Sequence, residues 1–567
     1  MRSVWNKYLI PGIILIAAVC VLTALFFLPV PGYTITGPAS DMQKASDNVT
    51  QNTLTLWNNL TLNLENLAND LGGLTPDDPL AQEKLYLLYE RYPNAAAVAW
   101  VDKKTGTTLT APVFSLADIL ASPEVSQLSE SSFSPDTALF LGPIYSDTLG
   151  MMPCIVVPVY DRDNRYTGFV LMAYVASLLQ KEIPAPHTDQ ENLWTDVWIV
   201  NKNGTLIYHP DTGAIGKNLY QGYFVDKHPE LREGLFYIIE HPTGSITYRA
   251  YDLSGTQIVE KTGVWQTVFL GDQELRIVVD RYAIPTRIYP YVENITLKER
   301  EELVHAMYNY AKEQGMEKAA AEFNDPNGAF SGNGYDLFAY KMDGTALVTA
   351  KSILIGENRL NYHDAYGLRP VNAMIIRAKQ GGGYVHYYRV SPYTENQAVL
   401  TSSYLRPVNE EWFVGASRAV SDGPQTYDFS KREVVTKTAR AIHKWVLTYG
   451  EETALAMIMD PAQESVLGTE RILAVSYNGT LLADNSRKDA IGEDIFYLTD
   501  KHGTSTIRES VTLAKQGGGY LYLEETTDVP GEDMIALVSV EPVNDNWYIL
   551  SMTHLEEYSE LGVIRDE

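Results

Sequence analysis

From Leu9 to Val30 the chain is apolar and carries no charged residue. After it, Val49, Leu56, Leu60, Leu64, Leu67 and Leu71 recur at three- to four-residue spacing, with Asn, Thr and Asp between them, until Gly72-Gly73. The first run is long enough, at about 1.5 Å per helical residue, to cross a hydrocarbon core of about 30 Å. The second has the period of a long amphipathic helix, serving either as a seam between two chains or as a face packed on its own domain. Further on the period shortens to that of strands. Ala95 to Val101, Cys154 to Tyr160 and Tyr166 to Val175 compose one strand-rich group, with turns predicted at Thr105-Gly106 and Asp163-Asn164. Pro184-Ala185-Pro186 marks a fresh start, followed by Val197 to Val200, Leu206 to Tyr208, Ser245 to Tyr251 and Leu275 to Asp280.

The last part of the chain is a tandem duplication. Asp325-Pro326 returns as Asp460-Pro461, Gly315 as Gly450, Gly344 as Gly479, the run Ala378 to Tyr384 as Ala514 to Tyr520, and Trp412 as Trp547. A period of about 135 residues is a whole domain, far longer than a solenoid unit. Each copy is predicted to open with a helix, Glu299 to Phe323 and Glu433 to Met459, then to run strand, turn, strand, short helix and three antiparallel strands. Asn203-Gly204, Asp343-Gly344 and Asn478-Gly479 have the composition of type I′ hairpin turns.

Charge and cysteine content narrow the setting. A formal charge of -27 argues against nucleic-acid partners and disfavours polyanions unless a pocket is locally basic. Two cysteines, one of them Cys20 in the apolar run, exclude a disulfide framework. Arg2 and Lys7 precede that run whereas Asp41 and Asp47 follow it, so the cytoplasmic N-terminus (1–8), one crossing (9–30) and an extracytoplasmic bulk are expected. A cleaved leader is the alternative. The expected domains are 40–290, divided into a distal lobe at about 75–180 and a proximal lobe at about 190–285, then modules at 296–420 and 431–556.

In the first duplicated module stand Asp343-Gly344, Ile355-Gly356-Glu357-Asn358, Asp364-Ala365-Tyr366-Gly367, Gly381-Gly382-Gly383-Tyr384, Tyr404-Leu405-Arg406-Pro407-Val408 and Trp412. With these motifs residues 335 to 417 resemble a single Cache domain, an extracytoplasmic PAS-like sensor module. Residues 470 to 552 resemble it more loosely, through Ile491-Gly492-Glu493-Asp494 and Trp547. Residues 40 to 285 are similar to a double Cache domain, with Asn203 to Pro210 and Ile215-Gly216-Lys217-Asn218 in the proximal lobe. The resemblance implies an α+β fold: antiparallel PAS-like lobes with long N-terminal helices, in tandem behind one membrane helix.

No catalytic motif, metal-ligand spacing or cofactor signature stands out, so no enzyme activity, cofactor or metal is expected. A PAS-like lobe binds small molecules on the inner face of its sheet, and alternation decides which residues reach it. After the glycines, Val385, Tyr387 and Arg389 form the more apolar phase, opposite Leu521, Leu523 and Glu525 in the second copy. Facing inward, Arg389 has the geometry to clamp a carboxylate, with Tyr387, Tyr340, His363, Asp364 and Tyr404 as hydrogen-bonding neighbours. Thr401 stands where related single Cache domains often have a Lys. Reaching solvent from the strand end is the structural alternative for Arg389. In the distal lobe Trp100, Tyr145, Tyr160 and Tyr174 are candidate pocket aromatics, or core; Ala173 occupies the position where the amino-acid-binding double Cache subgroup has an Asp.

The expected protein is therefore a membrane-anchored extracytoplasmic sensor of a small polar ligand, possessing no output domain of its own. It is expected to pass occupancy to a separate signalling receptor or to act by homodimerisation through the 41–71 helix. A structural or adhesive surface protein that uses its lobes as spacers is the rival.

Overall fold

A computed structural model describes residues 33–35, 40–113, 115–134, 138–175, 193–221, 229–252, 257–283, 297–331, 334–390, 397–419, 425–426, 428–463, 467–468, 470–499, 505–526 and 532–559. The apolar run 9–30 and the tail before it lie outside the described residues. Among the described residues no helix is long and apolar enough to cross a membrane.

Four antiparallel sheets follow one another. Behind β1 (Tyr33–Ile35), the distal sheet holds β2 (Ala95–Asp102), β3 (Thr107–Ala111), β4 (Leu139–Ser146), β5 (Gly150–Tyr160) and β6 (Tyr166–Tyr174), ordered β3-β2-β6-β5-β4. The proximal sheet holds β7 (Leu193–Asn201), β8 (Leu206–Tyr208), β9 (Gly244–Tyr251), β10 (Ile258–Leu270) and β11 (Gln273–Ala283), ordered β1-β9-β10-β11-β7-β8. In the third module β12 (Asp336–Lys341), β13 (Ala346–Val348), β14 (Gly383–Val390), β15 (Gln397–Pro407) and β16 (Trp412–Ala419) run β13-β12-β16-β15-β14, and β17 (Gln425–Thr426) pairs with β15. The fourth repeats this with β18 (Arg471–Ser476), β19 (Leu481–Asp484), β20 (Gly519–Thr526), β21 (Glu532–Pro542) and β22 (Trp547–Ser559). One strand order thus serves all four lobes, and the α+β class predicted from the sequence is the class observed.

A long helix covers one face of each sheet, and shorter helices pack on the other. Helix Ser40–Leu71 spends its apolar stripe on its own two lobes, with Ala45 and Val49 in the proximal core and Leu60, Leu64, Leu67 and Leu71 in the distal one. A seam between two chains would have to use its other face, where Leu62 is exposed. The opening helices of the duplicated modules are each broken once, into Leu297–Gln314 and Met316–Asn324, and into Ser430–Tyr449 and Glu451–Ile458. The breaks fall at Gly315 and Gly450, with φ of 79° and 81°, values that favour glycine. Trp412 and Trp547 are buried in equivalent cores.

The three Asx-Gly turns depart from the predicted type. Gly204, Gly344 and Gly479 have positive φ, but Asn203, Asp343 and Asn478 do not, so these are not type I′ turns. Gly344 N–H donates to the Lys341 carbonyl and the register shifts between Ala339 and Tyr340, which is a bulged hairpin. The Asp343 carboxylate accepts the Thr345 N–H at 2.9 Å, an Asx bond that sets the turn without a second left-handed residue.

The loop 357–369 of the third module ties the lobes together. Arg359 donates both arms to Asp211 of the proximal lobe at 2.9 and 2.8 Å. Asn361 accepts the Met151 N–H and donates to the Thr212 carbonyl at 2.7 Å, joining the distal and proximal lobes through one amide. Arg369 donates to the Asp147 carbonyl, and Asp364 accepts the Tyr522 hydroxyl of the fourth module. From the fourth module, Arg440 donates to the carbonyls of Tyr89, Tyr92 and Ala95. Glu541 accepts the Tyr86 hydroxyl at 2.8 Å.

Candidate ligand-binding site

Pairing fixes which side chains share the inner face of the third module. Tyr387 lies opposite Thr401, Val385 opposite Ser403, Ser403 opposite Ser417, and Ser417 opposite Asp336. Residues directly paired across strands point the same way, so Arg389, Tyr387, Thr401, Ser403, Ser417, Asp336 and Tyr340 lie on one face. One half of that face is apolar: Phe338, Val385, Leu405 and Phe413 pack under helix Pro370–Lys379. The other half is polar. There Arg389 donates to the Asp336 carboxylate at 2.9 Å and keeps 37% of its side-chain surface accessible.

Three tyrosines stand between two guanidinium groups. Tyr340 and Tyr387 come from the sheet, whereas Tyr362 comes from the loop, its ring beneath Arg359 at 4.9 Å. Each keeps partial exposure. Burial pushes the Tyr340 hydroxyl up to about 12, against the pull of Arg359. Burial raises Tyr362 and Tyr387 as well, so all three remain protonated hydrogen-bond donors at neutral pH. Burial works against the Arg389 charge, but Asp336 outweighs it and keeps the guanidinium protonated.

The remaining candidates are dispersed. Thr401 is fully buried beside Tyr387 and turns its hydroxyl to the Val399 carbonyl at 3.2 Å. Tyr404 lies on the opposite face, its ring 4.9 Å from Tyr384. His363 and Asp364 occupy the inter-lobe loop. Burial lowers His363 to about 3, so it is neutral, and raises Asp364 to about 6 despite four donors, the N–H groups of Tyr366, Leu368 and Tyr388 and the Tyr522 hydroxyl. In the distal lobe, Trp100 and Tyr174 are buried in the core beneath the long helices, and Tyr160 packs edge-on against Tyr166. Tyr145 is 37% exposed and neighbours Arg369.

Arg359, Tyr362 and Asp336 were not foreseen. Arg359 and Tyr362 follow the Gly356 turn in a segment without periodicity, and only their closeness to the Ile-Gly-x-Asn step marks them. Asp336 opens β12 in register with Val385 through two intervening strands, and its carboxylate meets the side chain of Arg389, four residues further along β14.

The other lobe interiors differ. The fourth module packs Leu473, Val475, Ile495, Leu521 and Leu550 into a closed apolar core, with Leu523 beside it. The distal interior is equally apolar, built on Ala97, Ala99, Cys154, Phe169 and Leu171. The proximal interior holds a buried network: Asp280 accepts the Trp198 indole N–H and the Tyr248 hydroxyl, while Lys261 pairs with Asp196 at 3.4 Å.

Residues 294–428 match the family model for Single Cache domain 2, so this segment is a Cache module. No curated protein matches the chain. Solved structures match about two-fifths of it at low identity. An extracellular ligand binding receptor from Desulfohalobium retbaense DSM5692 is 18% identical over 43% of this chain and 40% of its own length, with a TM-score of 0.32. The periplasmic sensory domain of the Campylobacter jejuni chemoreceptor Tlp1 is 13% identical over 42% of this chain and 92% of that one, with a TM-score of 0.31. The ligand-binding domain of the Pseudomonas fluorescens chemoreceptor CtaA, in complex with L-serine, is 14% identical over 42% and 94%, with a TM-score of 0.33.

Proposed function

We propose that this chain is an extracytoplasmic sensor, held at the membrane by residues 9–30, whose third module binds a small polar metabolite carrying a carboxylate and passes occupancy to a separate signalling protein. The observation that supports this reading is the contrast between duplicated neighbours. Where the fourth module fills its interior with Val475 and Leu523, the third has Tyr340 and Tyr387 at the equivalent positions, with Arg389 accessible at the rim. Polar groups at positions that otherwise carry a core are kept at a loss of stability, which favours recognition as their role. The Arg389 guanidinium has donors to spare for a carboxylate beside Asp336, and three phenol hydroxyls are within the same interior.

A thermal-shift screen of the full-length chain against organic acids, amines and nucleobases tests it, because a ligand selective for the folded state raises stability by mass action. A polar hydroxy or keto acid is expected to raise the melting temperature, and Arg389→Ala to abolish that rise. A full shift in that variant removes the clamp. No response to any class would favour the spacer reading instead.

A further inference from the structure

A cavity of about 200 Å³ lies where the distal lobe, the third module and the fourth module meet. Leu149 and Met152 of the distal lobe, Ile376 of the third module and Leu513 of the fourth supply apolar wall. Its polar groups are unusual in having so few partners. Arg432 is 3% exposed and lies over the Tyr520 ring at 4.3 Å, yet its Nε and Nη1 have no hydrogen-bond partner. Arg369, 9% exposed, donates Nε to the Leu360 carbonyl and Nη1 to the Asp147 carbonyl, leaving Nη2 without one. His363 Nδ1 also lacks a partner.

Three carboxylates reach the same cavity, and each is already engaged. Glu509 pairs with Arg377, Glu524 with His386 at 3.2 Å, and Glu541 accepts from Tyr86 and lies 3.3 Å from His443. Neither Arg432 nor Arg369 forms an ion pair with a carboxylate among the described residues. A buried guanidinium without a counter-charge is strongly unfavourable, and two facing one cavity create a site that an anion completes.

We propose that this inter-module cavity binds a small organic monocarboxylate, its carboxylate held by Arg432 and Arg369 and its apolar body against Leu149, Met152, Ile376 and Leu513. One negative group is the limit, because Glu509, Glu524 and Glu541 would repel a second. The site is separate from the interior containing Arg389, and its occupant touches three modules at once.

The test titrates the full-length chain with acetate, butyrate and benzoate, with butyramide and benzamide as neutral twins and sulfate as an anion without an apolar body, reading melting temperature and calorimetric affinity. Butyrate and benzoate are expected to raise the melting temperature; the amides and sulfate are not. Arg432→Gln should weaken the affinity roughly 10- to 100-fold, the range of lost charged hydrogen bonds. Ile376→Trp, which occupies the cavity and leaves both guanidinium groups in place, should do the same and decides the matter if Arg432→Gln does not fold. Arg389→Ala should leave the response intact; its loss there would assign the response to the third module's interior and overturn this proposal. An equal response to the amides or to sulfate, unchanged affinity in the Ile376→Trp variant, or no response to any carboxylate would also overturn it.

Discussion

Arg359 crosses from the third module to the proximal lobe with 6% of its side-chain surface accessible, and Asp211 is its carboxylate partner. Asp211→Ala therefore leaves a buried cation without counter-charge, a change of about 3–5 kcal/mol. Arg359→Met keeps most of the volume and removes the charge. Asp211 then remains 27% accessible and still accepts the Gly213 N–H at 3.1 Å, so the loss should be nearer 1–2 kcal/mol. The double variant should resemble Arg359→Met alone, which amounts to a coupling of about 3–5 kcal/mol. Urea denaturation of the full-length chain by tryptophan fluorescence, with hydrogen exchange at residues 212–216, measures all three. Burial raises the Asp211 carboxyl, but Arg359 outweighs burial and holds it well below the usual range. Its contribution is thus present above the unfolded value of about 4 and is lost as pH falls toward the folded one. Equal losses in the two single variants, or a double variant as unstable as their sum, would refute the reasoning.

Asp364 gives the opposite pH dependence: its folded carboxyl, near 6, lies above the unfolded value, so its contribution to stability declines as pH rises from about 4 to 6. Denaturation midpoints across that window should lose this slope in Asp364→Asn, which keeps the Tyr366 and Leu368 bonds but turns an amide toward the Tyr388 N–H. Gly381 and Gly517 occupy equivalent turns at φ of 106° and 98°. Gly381→Ala meets no atom within 4 Å and should cost about 1–2 kcal/mol of backbone strain, whereas Gly517→Ala brings its Cβ 2.9 Å from the Ser115 Cα and should cost more in a denaturant midpoint. In a Cys20→Ser background, Cys154 should resist a thiol reagent until the chain is unfolded, since it is fully buried and burial pushes its thiol up.

Much of the fold was legible because period and repetition are local properties of a sequence. The phase of β14 was readable: Val385 and Tyr387 face the interior, as their greater apolarity implied. The purpose of its other face was not. Tyr388 and Leu400 meet Val435, Leu537, Tyr520 and Tyr522 of the fourth module, an interface that alternation within one strand cannot announce. Arg389 showed its inward phase, but its Asp336 neighbour depends on register across two strands. The loop residues Arg359 and Tyr362 follow no period at all, and what positions Arg359 over the Tyr362 ring is a partner lobe more than a hundred residues away in the chain.

Copying a module within one polypeptide supplies each copy with a companion it can never lose. Covalent linkage holds such companions at an effective concentration on the order of millimolar. The aromatic patch around Tyr388 and Tyr522, their rings 5.5 Å apart, can therefore persist on an attraction too weak to unite free molecules. Severing the chain between the copies would expose tyrosine and leucine faces to water on both fragments, leaving each prone to self-association.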